Sequence, residues 1–379
     1  MVIERRIYVR LCFWRRLGFE RNVVIVHRLR ADDLGWAATI AVAIGILQGS
    51  LTESAGPQKA SASMLVFVSS RHEPGADPAT DPLRTWAATE IYATDEAWTS
   101  VRRLTSNTVP DLFPAMSSDG TRVAFESGRR RGEGEPLNTS DLFVMNADGT
   151  DQVFLVRGSS ATWSPDGRHI AFHASASGTG LPIKPDPGAA TTDSDIFIID
   201  GNAGLRSHDK PRNLTASPAA IDDDADWSPD GKTIIFTSHA TTDNPMNSPT
   251  AEIYAVSVDG TGKPVRLTNN TEEERAPSWS PDGKRIAFSC RRNGPDFEIC
   301  IMNADGSGQM MLTDNSAPDL TPTWSPDGRR IVFHRPIGGT ARFQLFSISA
   351  DGTGETQLTF PPGLNAFPNW EALRTIRRP

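Results

Sequence analysis

An all-β, six-bladed β-propeller with its two ends sharing one blade, preceded by an N-terminal signal or anchor segment, is predicted by three observations. A pentapeptide, W-S-P-D-G, recurs at Trp163–Gly167, Trp227–Gly231, Trp279–Gly283 and Trp324–Gly328, with a degenerate copy at Met116–Gly120 and a truncated one ending at Trp370. Each complete copy is followed by two short apolar segments, which with the stretch before the motif and a closing stretch after them makes four strands per unit. The first unit, from Met64, lacks a leading strand, and the last, Ala366–Trp370, supplies only that strand.

Residues 1–63 differ in kind from the rest. Eight arginines lie within residues 1–33, and an uncharged apolar run of 14 residues follows from Leu34 to Leu47. That is shorter than the roughly 20 residues needed to cross hydrocarbon, but it fits the apolar region of a signal peptide. Ala60-Ser61-Ala62 offers a cleavage site. An uncleaved anchor over 34–47 and a start codon called too early are the alternatives, and the expected destination is periplasmic or extracellular. Of three cysteines, Cys12 falls in the leader; Cys290 and Cys300 flank a short loop and are either a disulfide of an exported protein or two buried thiols.

The repeat region, 64–370, is expected to hold the whole propeller, leaving 371–379 as a tail. In S-P-D-G the proline presets φ and the glycine supplies positive φ, making a tight link between first and second strands. The second strands end in Phe125, Phe172, Phe236, Phe288 and Phe333; the third strands run into Asp-Gly turns, as in D-L-F-V-M-N-A-D-G from Asp141. Leu-Thr closes several units, at Leu214-Thr215, Leu267-Thr268, Leu312-Thr313 and Leu358-Thr359. The tryptophan before S-P-D-G is expected to pack between blades.

With 38 Lys and Arg against 46 Asp and Glu, the net charge of −8 argues against a general nucleic-acid binder. There is no heptad and no collagen period. Long connections at Arg71–Ala88, Gly128–Ser140, Ser175–Ser194 and His239–Ala251 fall on the face opposite the tight turns, where binding usually resides. On that face, five residues before each repeat anchor, stand Asp111, Gly158, Asp222, Glu274, Asp319 and Asn365. Asp111, Asp222, Glu274, Asp319 and Asn365 are therefore candidate binding residues around the channel mouth, drawing a cation or a basic peptide, unless each only caps its own turn. A calcium site at Asp222, Asp224 and Asp226 is a further candidate; otherwise no cofactor is expected.

The run W-S-P-D-G-K-R-I-A-F from Trp279, followed by I-C-I-M-N-A-D-G-S-G-Q-M-M-L-T from Ile299, resembles the WD40-like β-propeller repeat of TolB periplasmic proteins, also found in prolyl-oligopeptidase-type peptidases. The resemblance covers residues 64–370. It implies the propeller, and it implies binding of partner peptides at the channel mouth, as TolB-like proteins do. The sequence has no G-x-S-x-G nucleophile motif and little room for an α/β domain before the repeats, so neither family's activity is carried over. His173 and His334 fall on opposite sides of a six-fold ring, and no catalytic metal set converges. A monomeric protein- or peptide-binding module, touching membrane only through its N-terminus, is the leading expectation. A hydrolase or lyase acting on carbohydrate or peptide in the channel is the alternative.

Overall fold

The computed structural model describes residues 63–71, 86, 89–130, 141–175, 194–202, 210–217, 220–240, 251–270, 272–292, 294–338, 342–361 and 363–372. The expected leader, with its apolar run and Cys12, lies outside the described residues, as do most of the long connections.

The described chain is all β. β1 (Ser63–Ser69), β2 (Glu90–Asp95) and β3 (Val101–Arg103) open the first blade; β4 (Asp111–Met116), β5 (Arg122–Ser127), β6 (Asp141–Asn146) and β7 (Val153–Arg157) form the second. The third is β8 (Ser159–Trp163), β9 (His169–Ala174), β10 (Asp195–Asp200) and β11 (Arg212–Asn213); the fourth is β12 (Ala220–Trp227), β13 (Thr233–Ala240), β14 (Glu252–Ser257) and β15 (Val265–Arg266). The fifth is β16 (Glu274–Trp279), β17 (Arg285–Cys290), β18 (Glu298–Asn303) and β19 (Met310–Met311); the sixth is β20 (Leu320–Trp324), β21 (Arg330–Pro336), β22 (Phe343–Ser349) and β23 (Thr356–Gln357). β24 (Asn365–Ala372) then pairs antiparallel with β1, Leu65 opposite Trp370, and completes the first blade from the far end of the chain. The innermost strands β24, β4, β8, β12, β16 and β20 touch in that order and back to β24, so six blades close a ring. The pairing extends slightly past the expected bounds, to Ser63 and Ala372.

The motif chemistry explains the blades. In Ser164-Pro165-Asp166-Gly167 the Gly167 amide donates to the Ser164 carbonyl at 2.8 Å, and Gly167 takes φ 67°. The Asp166 carboxylate accepts from Ser164 Oγ and from the Arg168 amide, while Ser164 Oγ accepts from the His169 amide that starts the next strand. Ser117-Ser118-Asp119-Gly120 builds the same turn without the proline. Asp-Gly turns join third to fourth strands: Gly306 sits at φ 86°, where a Cβ would come within 2.2 Å of the Leu267 carbonyl oxygen, so no other residue fits.

Six apolar layers, one between each pair of neighbouring blades, make the core. Each blade contributes a fully buried phenylalanine from its second strand: Phe67, Phe125, Phe172, Phe236, Phe288 and Phe333. In five blades an aromatic ring on the third strand lies against it, with centroids 5.7 to 6.0 Å apart (Tyr92, Phe143, Phe197, Tyr254 and Phe346). In the fifth blade the position opposite Phe288 is Cys300, and Cys300 is bonded to Cys290, with Cα atoms 5.9 Å apart. The repeat tryptophans pack between blades. Trp163 Nε1 donates to the Ala115 carbonyl of the preceding blade at 3.1 Å, and Trp324 Nε1 to that of Ser278. Arg122 and Arg285, from those preceding blades, lie over the two indoles at 4.4 and 4.7 Å.

Candidate functional site at the channel mouth

The residues five before each anchor do stand on the face opposite the tight turns, at or near the start of each innermost strand, but they are buried in the seams between blades. Asp111, Asp222, Glu274 and Asp319 are fully covered and Asn365 nearly so. A recurring network takes up their side chains. At the seam between the fifth and sixth blades, Thr313 Oγ1 accepts from the Ile299 amide and donates to Glu298 at 2.6 Å. Glu298 also accepts from the Asn315 amide, and Asn315 Nδ2 donates to Asp319. Arg335 then clasps Asp319 through Nε and Nη2 and reaches on to Glu355.

The pattern repeats around the ring. Glu90, Thr105, Asn107 and Asp111 end on Arg129. Glu252, Thr268, Asn270 and Glu274 end on Arg292. At the closing seam the acids become amides, Asn365 donating to Gln344 and accepting from Arg71. Asp222 is met by Ser238 Oγ instead of a guanidinium, and burial pushes its carboxyl up to about 6. In the third blade the position is Gly158, where a Cβ would strike the Phe172 ring, and Glu126 binds Ser159 and Ser160 instead. These carboxylates therefore hold blades together and do not line the opening. A buried charge is tolerable here only because donors surround it.

The opening is lined two residues further along each strand. Phe113, Ser160, Asp224, Ala276, Thr321 and Phe367 all take left-handed backbone conformations, with φ between 46° and 50° as a set. Each sits in a bulge that interrupts the pairing of an innermost strand, for example between Asp223 and Asp226. The sequence does carry a mark of this: Pro114, Pro277, Pro322 and Pro368 each follow the left-handed residue, and proline inside a strand signals a bulge. Left-handed conformation costs a non-glycine residue roughly 1–2 kcal/mol, so six copies facing one opening are a stored strain of the kind that gathers at binding sites.

The opening, of about 130 Å³, is not six-fold in chemistry. Phe113 and Phe367 meet with centroids 4.2 Å apart, backed by Trp86 and Phe343. His334 stands edge-on to Phe343 and Phe367, its Nδ1 bonded to Thr321 Oγ1, and burial holds it down at about 3, hence neutral. Three blades from Phe367 stands Asp224, whose carboxyl is pushed up to about 7 by burial and by the neighbouring Asp223. Asp226, deeper in the channel, is raised to about 6 by burial despite accepting from the Trp279 amide and Thr162. Behind them Asp223 lies 3.6 Å from His239 Nε2 and within electrostatic reach of His173 and Arg275.

His173 and His239 thus share a carboxylate, a grouping that sequence reasoning missed because the two histidines come from different blades. His173 Nδ1 and the ring nitrogens of His239 are buried and make no hydrogen bond in the structure. The calcium candidates Asp222, Asp224 and Asp226 do not converge: one turns to Ser238, one to the opening, one to Trp279. Among the described residues no group of three His, Cys, Asp or Glu side chains is placed to hold a metal ion.

Ring closure, the repeated turns and the lined channel define a six-bladed propeller. Residues 189–374 match the family model described as the TolB beta propeller domain. The fold is similar to that of TolB from Acinetobacter baumannii, with a TM-score of 0.61 at 22% identity, covering 81% of this chain and 66% of that one. Among curated proteins the chain is similar to dipeptidyl-peptidase 5 of Porphyromonas gingivalis, 40% identical over 18% of this chain and 10% of that protein. It is also similar to an uncharacterised peptidase of Bacillus subtilis, YuxL, 30% identical over 48% of this chain and 30% of that protein. The chain thus spans less than a third of the length of either of these curated relatives.

Proposed function

We propose that this chain is an exported binding module that engages a protein or peptide partner at the channel mouth, acting as a monomer and without a cofactor. The observation that carries the reading is the ring of six left-handed residues around one opening, held in place by a network that spends its charges on the scaffold and leaves unlike side chains facing outward. The repeat type supports a protein partner. Export is supported by the basic, apolar-cored N-terminal sequence and by the Cys290–Cys300 bond, which an oxidising compartment would preserve. Contact with membrane is assigned to the N-terminal segment alone.

The test is a pull-down from envelope extract with the wild type beside a variant carrying Phe113→Ala, Asp224→Asn and Phe367→Ala. A partner retained by the wild type and lost by this variant, with unchanged circular dichroism, supports the reading; identical capture by both rejects it. Substituting Asp111 or Asp319 is a poor test, because it would unlatch blades.

A second reading, a hydrolase or lyase working in the channel, is favoured by the pairing of His173 and His239 about Asp223 beside the raised carboxyl of Asp224. Turnover of a peptide or oligosaccharide library that disappears in His239→Gln would favour it over binding alone.

A further inference from the structure

The mouth has two unlike halves, and the split says which ligand chemistry it accepts. Around the sixth, first and second blades the lining is aromatic and uncharged: Phe113 and Phe367 in contact, Trp86 and Phe343 behind them, and a neutral His334 fixed by Thr321. Facing them, the fourth blade presents the Asp224 carboxylate to the same opening, with Asp226 below it. A uniform ring would offer six equivalent poses. Two opposed patches of different chemistry admit one. An opening with rings on one side and a carboxylate on the other takes side chains of matching chemistry.

We propose, resting on the channel-mouth reading above, that the partner segment inserts an aromatic or long apolar side chain against Phe113 and Phe367 while a neighbouring lysine or N-terminal ammonium pairs with Asp224. Aromatic rings gain from offset or tilted contact with the two phenylalanines, and an ammonium desolvated beside a ring face is attracted to it. The anion it needs is supplied by a carboxylate that its surroundings otherwise disfavour. Burial and the adjacent Asp223 oppose ionisation of Asp224, so an incoming cation competes with a proton for this carboxylate.

The surroundings give the pH dependence its sign. The groups packed about Asp224 are Asp223 and Asp226 on β12, His239 on β13, His173 on β9, and Arg275 of β16 with its partner Glu273. Asp223 favours a bound cation, and Arg275 is occupied by Glu273. His173, lowered by burial, stays neutral. Proton uptake by Asp224 or Asp226 weakens the cation's hold in either case. Affinity for the cationic segment therefore rises as pH increases through about 6 to 7.

The measurement is calorimetric titration of the full chain with the blocked tetrapeptide acetyl-Gly-Phe-Lys-Gly-amide, beside its counterparts with norleucine for lysine and with alanine for phenylalanine. The Phe-Lys peptide is expected to bind about tenfold or more tightly than either counterpart, and about tenfold more tightly near pH 8 than near pH 5.5. Asp224→Asn is expected to remove both the lysine preference and the pH dependence, leaving the phenylalanine preference in place. Equal affinity for the lysine and norleucine peptides overturns the proposal without requiring any variant, as does an unaltered lysine preference in Asp224→Asn. If the envelope partner is still lost from the triple mouth variant while the Phe-Lys peptide fails to bind, the binding-module reading survives and this ligand chemistry is rejected. If the triple variant captures the same partners as wild type, the underlying reading fails first.

Discussion

At the scale of the residue, the fifth blade shows how one substitution is compensated by another. Five blades press an aromatic ring onto the buried phenylalanine of the second strand; the fifth has Cys300 there, diagonal to Cys290 across the hairpin. The bond joins residues only ten apart in sequence, so its contribution is at the modest end, about 2–3 kcal/mol. Reduction is expected to lower the melting temperature of the wild type, while Cys290→Ser combined with Cys300→Tyr, which restores the ring, is expected to melt at the same temperature with or without reductant. Thermal scans with and without dithiothreitol decide the matter. The sequence shows the exchange plainly, since E-I-C-I-M-N stands where other units have D-L-F-V-M-N or E-I-Y-A-V-S. Spacing alone left the redox state open, because two facing thiols and a disulfide need the same register.

At the scale of the element, the seam between blades is set by one hydroxyl and one carboxylate used many times. Thr313 satisfies a backbone amide and a glutamate together, so Thr313→Val leaves the Ile299 N–H without a partner and takes one of two donors from Glu298 Oε2 at a stroke. The expected cost is about 1–3 kcal/mol by urea denaturation, and Thr313→Ser is expected to recover most of it. At Thr359, whose Oγ1 accepts from the Leu345 amide in a blade that carries Gln344 where others have the carboxylate, the same change is expected to cost less. Strand order, turn positions and blade number were all legible in the repeated W-S-P-D-G and Asp-Gly signals, because turn chemistry is local. The lining of the channel was not. A regular strand returns to the same side every two residues, but the left-handed residue in each innermost strand breaks that count, so the acids that seemed to ring the mouth belong to the seams. The arginines that hold them, Arg129, Arg292 and Arg335, stand at or just past the ends of the second strands of the same blades, a partnership the hairpin register creates.

At the scale of the whole molecule, two populations of carboxylate pull stability in opposite directions with pH. Asp230 and Asp282 are held below the usual range by the serine of their own S-P-D-G turns, and what they contribute is present above the unfolded value and lost in acid. Asp222, Asp226 and Glu298 are raised to about 6, and Asp224 to about 7, chiefly by burial. A raised acid keeps its proton in the folded state, so its contribution is complete below the unfolded value and lost as pH climbs through the folded one. Stability is therefore expected to decline between about pH 4 and pH 7. Asp224→Asn is expected to flatten that decline and to stabilise the protein near pH 8, as chemical denaturation across the range will show. One feature of the ring bears on how the chain comes into being. Ser69 finds its partner Asn365 across 296 residues, so β1, with the sequence Met64-Leu65-Val66-Phe67-Val68, stays bare along one side until almost everything else exists. A chain emerging from its N-terminal end carries that sticky strand through the synthesis of five further blades, and β24 is the strand that finally covers it.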